Sequence, residues 1–179
     1  MLNMAQEESE KLLLENYING MWREFSEIKN KFQVAPIILA FINIEASAML
    51  SAPDNVVGSR ARFLWWVDKF MKKSDGGAYV GLDLYGARCG LFHEYGQESD
   101  LSRSGNCMII SWISGGNNSC HGKISGNMIM LSSDQFANDL YDAGKKMLKE
   151  LTTDSCMNER FMMRLPRILG VKSISNVNR

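Results

Sequence analysis

The stretch DLYGARCGLFHEY, Asp83–Tyr95, sets an arginine and a histidine five positions apart, Arg88 and His93. A guanidinium can grip a phosphate through two parallel hydrogen bonds, and an imidazole can move protons near neutral pH. Together they suit phosphodiester cleavage without a metal ion. On one ideal helix the two residues stand about 140° apart and ~7.5 Å apart along the axis, so they do not converge by themselves. A second copy of the helix across a two-fold axis would bring two arginines and two histidines into one cleft. The competing reading locks Arg88 in an ion pair with Asp83 or Glu45 and gives it a structural role only.

Other residues bear on the same choice. Glu45 falls in an otherwise apolar helical stretch, where a carboxylate is paired, pointed at a cleft, or close to the helix end in water. Arg60 and Arg62 open the stretch RARFLWWVDKFMKK, where they can pair with Glu45 or Asp83 or bind phosphate. Gly86, Gly90 and His93 recur at i, i+4, i+7, so a stripe of missing side chains leads to the histidine. An interior glycine costs about 1 kcal/mol relative to alanine, which points to close approach of a ligand or another helix in return. Tight packing within the chain is the plain alternative. Cys89 and His93 share a face at i, i+4, and Cys120-His121 would complete four zinc donors; adjacent Cys-His in a turn rarely points both inward, and no metal or cofactor is expected. His121 in NNSCHGK reads as an exposed turn residue. No GxxxxGK[ST], GxGxxG after a strand, HExxH or GxSxG is present, which argues against P-loop hydrolysis and triad-type acyl transfer.

The elements that must position these groups are mostly helical. Apolar residues spaced by three and four mark a long amphipathic helix over residues 5–32. Pro36 suits the first turn of a second helix through about Ser51, apolar almost all round and expected at the centre of the core. The third helix is RARFLWWVDKFMKK, with Phe63, Trp66, Val67 and Phe70 inward and the neighbouring Trp65 facing elsewhere. After SDGG the fourth runs from about Ala78 to Tyr95, with Leu84, Leu91 and Tyr95 on a packing face. Cys107–Ile113 and Lys123–Leu131 read as the two strands of a hairpin within about 105–132. Ser132 or Ser133 can cap a fifth helix, DQFANDLYDAGKKMLKEL, and MNERFMMRLPRIL suggests one more, stopped near Pro166.

The bulk numbers frame these details. A chain of 179 residues with 45% hydrophobic content supports one core, hence a single domain over 1–170 with a frayed tail at 171–179. The longest strongly apolar run, Pro36–Ile44, is far below the ~20 residues that span a bilayer, and the N-terminus is acidic, so a cytoplasmic protein with no membrane partner is expected. Four cysteines without CxxC spacing fit reduced thiols. Formal charge is zero, which excludes an overall basic field for coating nucleic acid and leaves any polyanion to be met locally. The basic segment Lys145–Arg179 reads as solvated helix surface.

Arg88-Cys-Gly-Leu-Phe-His93 matches the R-x4-6-H signature of the HEPN superfamily, late in a fourth helix. The chain resembles that superfamily in organisation over roughly residues 5–152, while the motif itself is two fixed positions. The resemblance implies a mainly α fold, a HEPN-like up-and-down helical bundle with a small β-hairpin before the last long helix. It also implies a homodimer whose composite site cleaves RNA without a metal, with the ribose 2′-hydroxyl as nucleophile. Arg88 would then stabilise the phosphate charge and His93 would transfer a proton or orient the phosphate. Arg60 and Arg62 would meet the RNA, with Glu45, Asp83, Gly86, Cys89 and Gly90 in support. His93-Glu-Tyr95 is similar to the R-x4-H-x-Y form of toxins whose tyrosine is adenylylated by a partner nucleotidyltransferase antitoxin, which implies Tyr95 as a modification site; a core tyrosine is the alternative. Cys89 stands where many active members carry Asn, Asp or His, and LYGARCGLFHEY followed by a hairpin and a further helix is similar to HEPN-like families without a characterised activity. The alternative function is a non-catalytic dimerisation or sensor module with a structural Arg88 and His93.

Overall fold

The structure, a computed structural model, describes residues 19–20, 23–25, 27–28, 33–71, 79–113 and 118–168. Most of the expected 5–32 helix lies outside these residues, and the parts of it that are described are helical. The SDGG punctuation and the 171–179 tail also lie outside them. The fold is mainly helical, with a small sheet ahead of the last long helix. Among the described residues no helix is long and apolar enough to cross a membrane.

Helix α1, Ala35–Ser51, begins where the sequence places it: Pro36 sits in the first turn, and Val34 O accepts from the Ile37 and Ile38 N–H groups at 3.0 and 3.1 Å. Its apolar circumference is used on several sides. Phe41, Ile44 and Leu50 are fully buried, and the helix packs on α2 (Ser59–Phe70), α3 (Gly81–Glu94), α5 (Ser133–Leu151) and α6 (Ser155–Ile168). Burying each such side chain contributes about 1.5–3 kcal/mol. Phe41 forms the hub of an aromatic cluster, 6.1–6.3 Å from the rings of Phe63, Trp112 and Phe136. In α2 the inward set is Phe63, Trp66, Val67 and Phe70, as its spacing requires. The Trp65–Trp66 pair divides as expected. Trp66 is buried and donates Nε1–H to Met147 Sδ at 3.2 Å, while Trp65 is half-buried beneath the Lys69 ammonium.

The sheet differs from the expected hairpin. Its order is β1 (Ile109–Ile113), β3 (Met128–Ser132), β2 (Lys123–Ser125). Lys123–Leu131 is two strands, because Gly126 at φ +60° and Asn127 turn the chain; glycine in the first central position suits a type II′ hairpin. β1 runs parallel to β3, pairing Ile109 with Met128 through Ile113 with Ser132. Ile110, Ile129 and Leu131 bury one side of the sheet against the helices. β3 feeds directly into α5, whose first turn is capped by Ser132 Oγ accepting from Gln135 N–H.

At the far side, α6 continues past Pro166 to Ile168. Arg164, within the basic segment expected to be solvated, is buried instead. Its Nη1 donates to Met49 O at 2.9 Å and Ala52 O at 2.7 Å, and its Nη2 pairs with Asp54, so it satisfies carbonyls at the end of α1.

Candidate functional site

Helix α3 is held at its start by Asp83. One carboxylate oxygen accepts from Val80 N–H at 2.9 Å, capping the first turn, and the other accepts from Met108 N–H at 2.8 Å, tying in the approach to β1. Asp83 is buried in this role and is therefore not the partner of Arg88. That partner is Glu45. Arg88 Nε lies 2.8 Å from Glu45 Oε1, with the two side chains 19% and 31% exposed. The Nε–H bond has no aligned acceptor, so the attraction is between charges rather than through a well-formed hydrogen bond. Burial works against the arginine charge, and the glutamate outweighs it and raises the guanidinium pKa above its ordinary value. The Arg88 guanidinium also sits 4.9 Å from the Phe92 ring centroid.

Glu45, Met49, Ser59, Arg62 and Arg88 line one cleft of about 280 Å³ between α1, α2 and α3. Arg62 is fixed there by donating Nε–H to Val56 O at 3.1 Å, which leaves its Nη groups without a hydrogen-bond partner among the described residues. Neither Arg60 nor Arg62 makes an ion pair with Glu45 or Asp83. Arg60 lies outside the cleft, its guanidinium 5.6 Å from the Tyr85 ring centroid. The structure thus joins Glu45, Arg62 and Arg88, drawn from three helices. Such a site can hold an anion between two guanidinium groups with a carboxylate alongside.

His93 does not join that cleft. It is exposed in the last turn of α3. The end of this helix is stapled by Arg103, whose Nη1 and Nη2 grip Glu94 at 2.8 and 2.5 Å while Nη2 also reaches Asp100 at 2.9 Å. Arg103 holds the Glu94 carboxyl below its usual range. Tyr95 is 73% exposed, which rules out the core reading. It ends α3 in the left-handed region at φ 52°, with Gly96 N–H closing on Gly90 O at 3.2 Å.

The glycine stripe serves the chain itself. A Cβ on Gly90 would stand 2.4 Å from Glu98 O, and one on Gly86 would stand 2.4 Å from Cys107 Sγ. The segment after α3, including the short helix α4 (Asp100–Arg103), returns against these positions and takes the space a ligand or second helix would need. Cys89 is half-buried beside Tyr85. Burial pushes the Cys107 thiol up, with Asp83 adding to the shift. Among the described residues no three His, Cys, Asp or Glu side chains converge to hold a metal.

A buried polar cluster escapes sequence reading. His121 is not an exposed turn residue: its side chain is 3% exposed and faces Asp139, which is 4% exposed. Ser132 N–H donates to His121 Nδ1 at 3.1 Å, so the neutral ring carries its proton on Nε2, 3.4 Å from Asp139 Oδ2. Tyr79 donates its hydroxyl to Asp139 Oδ2 at 2.9 Å, and Gln135 Nε2 donates to Oδ1 at 3.1 Å. One signal was present: Asp139 interrupts the apolar stripe Phe136, Leu140, Ala143 of α5.

Comparison of the chain with protein-family models, with curated proteins and with solved structures finds no match.

Proposed function

We propose that this chain is a HEPN-like RNA-binding protein that cleaves RNA without a metal ion, acting as a homodimer. The observation that carries the reading is the convergence of Arg62 and Arg88 on one cleft of about 280 Å³. The two guanidinium groups and the Glu45 carboxylate leave the cleft one net positive charge, which matches a phosphodiester, and the carboxylate is displaceable. A partly exposed ion pair such as Glu45–Arg88 contributes about 1 kcal/mol or less, whereas hydrogen bonds to a charged group contribute about 1.5–3 kcal/mol. In the reaction a ribose 2′-oxygen attacks phosphorus as its proton leaves, and the bond to the 5′-oxygen breaks as that oxygen takes up a proton. The arginines stabilise the charge that grows on the phosphoryl oxygens, and His93 exchanges the protons. Because His93 lies outside the arginine cleft of its own chain, the histidine that serves it comes from a second copy.

The exposed ring of Tyr95 is accessible to a modifying enzyme, which fits a partner nucleotidyltransferase antitoxin. A second reading, a non-catalytic dimerisation or sensor module, is favoured by the Glu45–Arg88 ion pair already formed within the chain.

Incubation of wild type, Arg88→Ala and His93→Ala with mixed RNA in excess EDTA separates the two. Cleavage leaving cyclic phosphate ends is expected from wild type and from neither variant. Both variants should keep their stability within about 1 kcal/mol, since one side chain is exposed and the other sits in an open ion pair. No cleavage by a folded wild-type dimer, or two variants that unfold, would move the assignment to the non-catalytic module.

A further inference from the structure

A second cavity, of about 210 Å³, opens further along α1 and α3 from the arginine cleft. Leu91 and Trp112 contribute to its apolar wall, and Tyr95, Gln33, Gln97 and Ser133 add polar groups. None of its lining residues carries a formal charge, so the group it suits is neutral. Drug-sized ligands occupy about 300–1,000 Å³, so this volume suits a single ring system. Two aromatic side chains offer stacking faces, and each glutamine amide offers both donors and an acceptor. A planar heteroaromatic ring with donors and acceptors around its edge answers all of these features, and that is the chemistry of an unstacked nucleobase.

Trp112 is held in place before any ligand arrives. Trp112 lies edge-on to Phe136 with centroids 5.0 Å apart and edge-on to Phe41 at 6.1 Å. Tyr95 is the only non-glycine residue with positive φ among the described residues, although Gly96 follows it directly. A side chain in that conformation costs about 1 kcal/mol or more, and such strain collects where an exact side-chain position matters. Placement links the two cavities. From Glu45 to Ile37 is about 12 Å along α1, and from Arg88 to Tyr95 about 10 Å along α3. Phosphate in the cleft and base in the cavity can therefore belong to one short stretch of RNA.

We propose that the cavity between Trp112 and Tyr95 is a nucleobase subsite, which takes one splayed base of single-stranded RNA while the adjoining backbone lies against Arg62 and Arg88. The proposal rests on the RNA reading above and adds to it a discrimination between base and backbone.

The test is fluorescence anisotropy with 5′-labelled 2′-O-methyl hexanucleotides, which bind but cannot undergo attack by a 2′-hydroxyl. One oligonucleotide carries all its bases and the other has abasic sugars at its centre. Wild type should bind the complete strand at least about tenfold more tightly than the abasic one. Tyr95→Gly, which suits the left-handed backbone, and Gln97→Ala, on the surface, should each remove most of that difference without lowering the melting temperature. Arg62→Ala should weaken both strands equally. Equal binding of the two strands by wild type, or a difference that survives in the Tyr95→Gly, Gln97→Ala double variant, would overturn the subsite and leave the RNA reading standing. Binding of neither strand would overturn both.

Discussion

At the scale of single residues, burial decides which polar groups act on stability and which are free for ligands. Arg88 and Arg62 keep donors on an open cleft, whereas Arg164 is consumed by main-chain carbonyls at the end of α1. Asp139 makes a similar contrast with Glu45. It is enclosed by Tyr79, Gln135 and His121, and it accepts hydrogen bonds from the first two. This has a consequence in alkali. Burial first, and Asp139 second, raise the Tyr79 hydroxyl well above its ordinary pKa of 10.0. The folded protein therefore keeps a proton that the unfolded chain gives up. The stabilisation is complete below about pH 10 and declines as pH rises beyond it. Tyr79→Phe should cost about 1–2 kcal/mol at pH 7 in urea unfolding and show a shallower loss of stability between pH 9.5 and 11 than wild type. A parallel alkaline decline in the variant would mean that another group controls it.

At the scale of elements, α3 carries the candidate chemistry and is also closely approached by its own chain at Gly86 and Gly90. Its glycines are legible as a sign of close approach, but the approaching partner is not, because the segment that returns against them has no periodicity of its own. The two glycines differ in what surrounds them. Gly86 meets a cysteine side chain that can turn aside, whereas Gly90 meets the backbone carbonyl of Glu98. Gly90→Ala should therefore destabilise the protein by about 1–3 kcal/mol despite the helix propensity it adds, and Gly86→Ala by less. Thermal unfolding of the two variants checks the order. A fully stable Gly90→Ala would restore the stripe as a surface for another helix.

At the scale of the whole molecule, the helices meet around α1, and the groove between α1 and α3 holds both cavities. The cleft contains arginines and no histidine, so the proposed chemistry depends on assembly. If the site is shared between two copies, mixing inactive Arg88→Ala with inactive His93→Ala should recover part of the RNA cleavage as chains exchange, because mixed dimers contain one arginine and one histidine. Activity that does not return after exchange has been verified by labelled subunits would rule out a shared site.

Helical periodicity was enough to place α1, α2 and α5 and to name the buried side chains of α2, because a helix with one packed face writes that face into the sequence every three or four residues. The residue types at Glu45, Arg62 and Arg88 likewise marked them as groups to follow. Their convergence came from the crossing of three helices. Tertiary structure also chose parallel pairing for β1 and β3, since short apolar strands carry no statement of direction and the path between them decides it. It buried His121 from a locally polar loop by supplying Asp139 from α5. It separated His93 from the arginine cleft as well. Spacing along a chain constrains the faces of one element, while contacts between elements depend on how their whole surfaces pack.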